Sequence, residues 1–256
     1  MDIMKILFRW IHVVAGIVWI GHLYFFNWVN SAFAPTMDAE TKKKVVPELM
    51  PRALYWFRWG AAWTWVTGLL LLGIVFWHGG LMLEGGAGWS APAIVMVLVV
   101  FAAPFVYDAI MKSLGKGNMK AAIAVCFVLV VLDVLAMVRW AHFGYRGYVI
   151  HTGSMFGTIM AYNVWFRIWP SQKQIITAVK GGAAPDAALV ALAGTRSRHN
   201  TYMSVPLVWA MLDEHSSTIS PFNSERWGWL ILGAVILFAW WITSMLYRRA
   251  PKVKGF

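Results

Sequence analysis

Hydrophobic residues run along this chain in long blocks separated by short polar stretches. A bilayer-spanning α-helix needs about 20 mainly apolar residues. Such blocks lie near 6–28, 55–77, 92–111, 119–141, 147–168, 198–214 and 227–247. Backbone groups in lipid must pair within their own segment, and these blocks are too long for barrel strands. The pattern predicts an all-α integral membrane bundle of about seven transmembrane helices, forming one domain over 1–256.

The polar stretches between the blocks carry most of the positive charge. The 256 residues are 60% hydrophobic and 13% charged, with a net charge of +11. Seventeen of the 22 Lys and Arg residues lie in the first, third and fifth loops and the carboxyl-terminal tail. The positive-inside rule explains this placement, so we expect no nucleic acid partner and a lipid bilayer as surroundings. The amino terminus is predicted outside and the carboxyl terminus cytoplasmic.

Two connections are long enough to hold structure of their own. We expect one short interfacial helix near 38–46 and two small ones within 171–198. The single cysteine, Cys126, lies inside an apolar block. One cysteine cannot form an intrachain disulfide or a C-x-x-C-H haem attachment, so any haem must be bound non-covalently.

Two histidines lie at similar predicted depth in different apolar blocks. His12 falls about two helical turns, and His151 about one turn, below the predicted outer surface. Imidazoles on facing helices of a bundle can ligate a b-type haem, so we expect His12 and His151 to be axial ligands of the haem iron. Two other roles stay open, an interhelical hydrogen bond for each histidine and direct contact with a substrate.

The block that holds His151 also carries a stripe of small residues. Gly153 and Gly157 form a small-xxx-small face that permits close approach, and Ser154 lies on a neighbouring polar stripe. These three residues are predicted to contact the cofactor. His215, at an outer helix end, is a weaker ligand candidate. No catalytic residue can be assigned.

One carboxylate falls inside an apolar block. Asp133 lies in the fourth block with Arg139 six residues further on. An acid in lipid is expected either to pair or to relay protons. We favour a pair with Arg139.

Three motifs resemble a known family. They are R-W-I-H-V at 9–13, H-T-G-S-M-F-G-T-I-M at 151–160, and R-H-N-T-Y-M-S-V-P at 198–206. Together they resemble the membrane domain of the bacterial membrane-bound, cytochrome c-linked urate oxidases. The resemblance runs from the first to the sixth block and implies a multi-pass protein of the bacterial inner membrane.

The family pattern also differs from this chain. In that family a further span leads to a fused cytochrome c domain, which this sequence lacks, so we expect electrons to pass to a separate cytochrome c or to other membrane subunits. Gly60 stands where the resemblance leads us to expect an acidic residue in urate-oxidising members.

The favoured interpretation is a membrane redox protein, an oxidoreductase similar to urate oxidase that binds haem b. The alternative is a non-catalytic subunit, haem-binding or structural, of a respiratory or other membrane complex. A transporter would require broken helices in paired halves, and the chain shows no clear repeat. The substrate, the number of haems and the oligomeric state are not fixed by the sequence.

Overall fold

The computed structural model describes residues 2–86, 88–213, 215 and 227–253. Within these residues the chain is almost entirely helical, in agreement with the predicted all-α class. The long helices are α1 (Asp2–Tyr24), α2 (Ala39–Leu71), α3 (Ala91–Lys112), α4 (Met119–Arg139), α5 (Tyr145–Asn163), α6 (Trp169–Lys180), α7 (Ala187–Asp213) and α8 (Gly228–Arg249).

Three of these helices change their winding at the carboxyl-terminal end. π-Helical turns follow α1 at Phe25–Asn30, α2 at Leu72–Trp77 and α5 at Val164–Ile168. The first continues through Ser31–Phe33 to a 3₁₀ turn at Ala34–Thr36. Because π turns inside helices often occur at functional sites, these three junctions are candidate functional positions.

Among the described residues, five helical stretches are long and apolar enough to cross a membrane. They are Asp2–Thr36, Ala39–Trp77, Ala91–Lys112, Met119–Arg139 and Gly228–Lys252. These stretches make the chain a multi-pass membrane protein. The predicted block at 147–168 is covered by α5 and its π turn, and the block at 198–214 by α7 as far as Asp213, since residue 214 lies outside the described residues. Neither helix is among these five stretches, and α7 includes Arg196 and Arg198. The count of seven spans therefore stays a prediction.

The predicted short interfacial helix at 38–46 is wrong as a separate element. Residues 39–54 form the start of α2 and run without a break into the second apolar stretch, although Pro47 and Pro51 lie inside the helix. Asp38 caps this start, accepting a 2.8 Å hydrogen bond from the Thr41 backbone nitrogen. The connection at 171–198 does contain two helical parts, on either side of residues 181–186, but the second part is the start of the long α7 rather than a small separate helix.

α3 and α4 have ordinary helix starts and pack against each other. The Ser90 hydroxyl accepts from the backbone nitrogen of Ala93 at 3.3 Å, and the Asn118 side-chain oxygen accepts from that of Ala121 at 3.0 Å. These are N-cap hydrogen bonds, which satisfy amide groups that the first turn leaves free. The caps explain why the two apolar blocks begin where the sequence predicts.

The described residues divide into two compact units. Unit 1 contains the described residues of 1–69, 160–204 and 240–256, and unit 2 those of 70–159 and 205–239. In unit 1, α1 and α2 cross closely at Gly60, where a Cβ would lie 3.0 Å from the Trp19 backbone nitrogen and 3.2 Å from the Ala15 carbonyl oxygen. A side chain at position 60, acidic or otherwise, would push the helices apart. The structure thus gives a packing reason for Gly60.

Candidate functional site

His12 lies in unit 1 against the face of α2 that carries Thr67 and Gly68. Its Nδ1 is 3.2 Å from the Thr67 hydroxyl oxygen. That hydroxyl donates its own proton to the Trp63 carbonyl at 2.6 Å, so it accepts from His12, whose Nδ1 then carries the proton. The tautomer leaves Nε2 as the nitrogen with a lone pair, which is the arrangement a histidine ligand to a metal needs.

Gly68 provides the space for this imidazole. A Cβ on residue 68 would lie 2.9 Å from the His12 Cε1 atom and 3.4 Å from Nδ1. Even alanine would therefore displace the ring. Gly68 and Thr67 together fix both the position and the tautomer of His12, and the sequence analysis identified neither. An isolated glycine inside an apolar helix was the only available signal for Gly68.

His151 lies in unit 2, where its side chain is completely buried. Its Nδ1 is 2.7 Å from the Gly147 carbonyl oxygen, which can only accept, so Nδ1 carries the proton here as well. Nε2 accepts a 3.1 Å hydrogen bond from the Trp77 indole nitrogen. The Phe143 ring packs edge-on at a centroid distance of 5.0 Å. Each polar atom of this imidazole thus has a partner.

A short segment around Met82 and Leu83, here called the strap, crosses the beginning of α5 near His151. Leu83 and Phe143 form an antiparallel bridge, and the Gly144 nitrogen donates to the Met82 carbonyl at 3.0 Å. A Cβ on Gly147 would collide with that same Met82 carbonyl. Gly147 therefore serves two purposes, since it admits the strap and orients His151 through its own carbonyl.

Tyr148 adds a buried hydroxyl one turn from His151. Its side chain is 4% exposed, and its oxygen has no hydrogen-bond partner among the residues that the structure describes. An unsatisfied buried hydroxyl is costly and calls for a water or a bound group as its partner. Tyr145, on the same face, donates to the Asp213 carboxylate.

Three further residues of α5 were predicted to contact the cofactor, and each lies against other atoms of the protein. They are Gly153, Gly157 and Ser154. A Cβ on Gly153 would lie 3.2 Å from the Ala210 Cβ, and one on Gly157 would lie 3.4 Å from a Leu207 methyl, so this glycine face lies against α7. Ser154 donates to the Ile150 carbonyl of its own helix at 2.8 Å. Contact of these three residues with a cofactor stays a prediction.

His215 and Asp133 are the remaining candidate residues. His215 follows the end of α7, is exposed, and has its Nδ1 3.0 Å from the Met211 carbonyl. Both carboxylate oxygens of Asp133 are buried without a hydrogen-bond partner among the described residues. The expected pair with Arg139 is thus not seen there. His12 belongs to unit 1 and His151 to unit 2, and each is described within its own unit.

Unit 1 contains a second polar cluster, which the sequence analysis noted only as a motif. Asn163 donates to the Asn200 side-chain oxygen at 2.9 Å, and Asn200 donates to the Met160 carbonyl at 3.0 Å. Asn27, in the first π turn, donates to the Ser197 hydroxyl at 2.8 Å and accepts from Tyr247 at the same distance. These matched hydrogen bonds tie α1, α5, α7 and α8 together and give the 198–206 motif a structural role.

The apolar helices and their buried polar contacts define the chain as a polytopic α-helical membrane protein. The family model described as urate oxidase N-terminal matches residues 1–254. The chain therefore belongs to the urate oxidase N-terminal family, as the three motifs predict. No curated protein and no solved structure matches it.

Proposed function

We propose that this chain is the membrane part of a urate oxidase-type oxidoreductase that passes electrons from urate through non-covalent haem b to a cytochrome c. Membership of the urate oxidase N-terminal family over 1–254 supports the substrate class. One structural observation supports the haem proposal: His12 and His151 both have Nδ1 held by a hydrogen bond, which leaves the lone pair on Nε2.

The two histidines fit a haem iron to different degrees. For His12 the tautomer is right, since the Thr67 hydroxyl accepts from Nδ1, and Gly68 leaves room for the ring. For His151 the tautomer is right, but iron at Nε2 would replace the hydrogen bond from Trp77. Tyr148 would supply a hydroxyl donor to the bound group or to a water beside it.

A bound haem b would supply one-electron transfer between the substrate and the acceptor. The protein's own contribution is to exclude water and to hold the imidazoles. The complete burial of His151 and the strap over Gly147 keep solvent from that ring. The Thr67 and Gly147 oxygens hold the two Nδ1 protons, so neither ring can rotate without losing a hydrogen bond.

The first experiment is the reduced-minus-oxidised visible spectrum of the purified protein. His12→Ala and His151→Ala are each expected to lose or shift the Soret band. Gly68→Ala should do the same through His12, whereas Gly16→Ala is a matched control, because its Cβ would make only an ordinary 3.8 Å contact with Thr64. An unchanged Soret band in both histidine variants would refute this ligand assignment.

The second experiment tests the substrate. Membranes that contain the protein, mixed with a soluble cytochrome c, should reduce that cytochrome when urate is added. Reduction should disappear in any variant that has lost its haem spectrum. An intact haem spectrum with no urate-dependent reduction would instead support the non-catalytic redox subunit.

A further inference from the structure

Arg58 is a half-buried cation on α2 with no acidic partner in the described part of the chain. None of the ion pairs among the described residues includes it. By contrast Arg52, six residues earlier on the same helix, pairs with Glu48 at 2.6 Å. The Arg58 Nε atom is buried and has no hydrogen-bond partner among the described residues. A buried donor of this kind calls for a water or a bound group as its acceptor.

Three aromatic rings surround the guanidinium group of Arg58. Its central carbon lies 3.9 Å from the centroid of the Trp169 ring and 5.8 Å from the centroids of Tyr55 and Trp165. Cations within about 6 Å of an aromatic centroid are attracted to the face of the ring. The N–H groups of a guanidinium point outward in its own plane, so a ring stacked on its face leaves them free to donate. The rings therefore hold the cation while the Nε side of its edge has no acceptor.

Two of these rings come from the junction between α5 and α6. Trp165 lies inside the π turn at Val164–Ile168, and Trp169 is the first residue of α6. The Trp165 ring also packs edge-on against Trp59, at a centroid distance of 5.5 Å. All of these residues belong to unit 1. A π turn, a feature that often occurs at functional sites, thus faces residues 55–59 of α2.

Aromatic surface remains accessible beside the cation. The side chains of Tyr55 and Trp59 are 47% and 41% exposed, and their ring centroids are 6.4 Å apart. A flat aromatic molecule can stack on such a ring. A ligand with a negatively charged edge and an aromatic face would contact both the guanidinium and a ring. A phosphate or an aliphatic carboxylate would use the guanidinium alone.

We propose that Arg58, with the rings of Tyr55 and Trp59, binds urate as its planar anion. The site rests on the proposed function, which supplies urate as the substrate. Urate carries one negative charge at neutral pH and has hydrogen-bond acceptors along the edge of a flat purine. That edge accepts two parallel hydrogen bonds from Nε and one Nη of Arg58, the bidentate geometry that a guanidinium favours.

The place of Arg58 on α2 defines its role. It lies nine residues before Thr67, the hydrogen-bond partner of His12, which is about 14 Å along the helix axis. Arg58 is therefore a substrate-binding residue and not a haem contact. Its effect on urate binding can be measured without haem and without turnover.

The test measures binding of radiolabelled urate to the detergent-purified protein by equilibrium dialysis. Arg58→Gln should weaken binding roughly tenfold to a hundredfold, the effect of losing a hydrogen-bonded charge pair. The matched control is Arg52→Gln, which removes the same charge from the same helix. It should change binding less than about threefold, because an exposed charge away from the ligand is screened by salt. Equal losses in the two variants would mean general attraction to a basic surface and would overturn the site.

Two further variants keep the test decisive if Arg58→Gln does not fold. Arg58→Lys keeps the charge but not the planar fork, so urate should still bind at least about threefold more weakly. Trp59→Leu leaves Arg58 in place and removes a stacking ring, which should weaken binding at least about fivefold. Trp63→Leu is its control, since this exposed tryptophan lies one turn further along α2. Full urate binding in both Arg58→Lys and Trp59→Leu would refute the site.

Two other ligands test the chemistry of recognition. Hypoxanthine, a neutral purine, and inorganic phosphate, an anion without a ring, should each bind at least about tenfold more weakly than urate. Phosphate bound as tightly as urate through Arg58 would indicate a general anion site, such as one for a lipid head group, and would overturn urate as its ligand. Urate-dependent cytochrome c reduction that persists in Arg58→Gln with unchanged binding would refute this site and leave the proposed function standing. An unmodified protein that binds no urate would overturn both.

Discussion

The indole nitrogen of Trp77 donates a 3.1 Å hydrogen bond to Nε2 of His151, across 74 positions of sequence. The imidazole is completely buried, so this bond satisfies a nitrogen that no water reaches. An unsatisfied buried acceptor costs about 1–3 kcal/mol. The pair therefore links the end of the second apolar stretch to α5 within unit 2.

Removing one partner of this hydrogen bond should lower the free energy of unfolding more than removing both partners. Trp77→Phe leaves Nε2 without a donor, whereas the Trp77→Phe, His151→Phe double variant leaves no buried nitrogen unsatisfied. We expect a coupling energy of about 1 kcal/mol in a double-mutant cycle, measured by unfolding in detergent mixtures. Additive effects of the two substitutions would show that the hydrogen bond contributes nothing to stability.

The Trp77→Phe substitution also distinguishes the two proposed roles of His151 Nε2, which are to accept the hydrogen bond from Trp77 and to ligate haem iron. If Nε2 ligates haem iron, as proposed, the loss of the competing donor should raise haem occupancy in haem titrations of the apoprotein. His151→Ala should lower occupancy in the same titration. A Trp77→Phe variant with weaker haem binding would contradict competition at Nε2.

The crossing of α1 and α2 at Gly60 should tolerate no side chain. Gly60→Ala places a Cβ 3.0–3.3 Å from backbone atoms of Trp19 and Ala15, which cannot move independently of their helix. We expect a loss of about 1–3 kcal/mol, read as a lower midpoint of thermal unfolding. Gly21→Ala is the control, because a Cβ there meets nothing within 4 Å. Equal midpoints for the two variants would mean that the crossing is not tightly packed.

The buried carboxylate of Asp133 should be dispensable for stability. Its two oxygens have no hydrogen-bond partner among the described residues, and burying an unpaired charge or polar group is unfavourable. Asp133→Asn should unfold at the same temperature as the unmodified protein or higher. A marked decrease would reveal a stabilising partner, and a stable variant that has lost redox activity would point to proton transfer.

The predicted orientation can be tested with fusions. The distribution of Lys and Arg predicts that the carboxyl terminus lies in the cytoplasm. A fluorescent protein fused after residue 256 should fluoresce, and alkaline phosphatase at the same point should be inactive. Insertion in the 78–90 loop, which has no Lys or Arg, should give the opposite result. The reverse pattern would invert the topology.

The sequence was sufficient for the helical class because the length of each apolar block follows directly from the order of residues along the chain. It was not sufficient for residues 39–54, where a short, separate interfacial helix was predicted near 38–46. The four-residue spacing from Glu40 to Arg52 carried the opposite signal, and the structure follows that spacing in one continuous helix.

The two histidines of the candidate site could be predicted from the sequence, but the residues that contact them could not. A histidine in an apolar block is visible as an expensive residue, so His12 and His151 could be found. Their partners Thr67 and Trp77 are ordinary members of apolar helices, and only the tertiary structure brings them to the imidazoles. The Gly153 and Gly157 face was recognised as a packing face, but its partner, α7, could not be inferred from spacing.

The π turn at Phe25–Asn30 also affects how this chain can change in length. A π turn holds one residue more than an α turn, and each residue of an α-helix advances the side chains by about 100°. Deleting one residue from Phe25–Asn30 would convert it to ordinary winding and leave the helical phase on either side unaltered. The same deletion in the middle of α4 would rotate every later side chain away from its neighbours. Relatives that are shorter by one residue should therefore have their gap at such a turn.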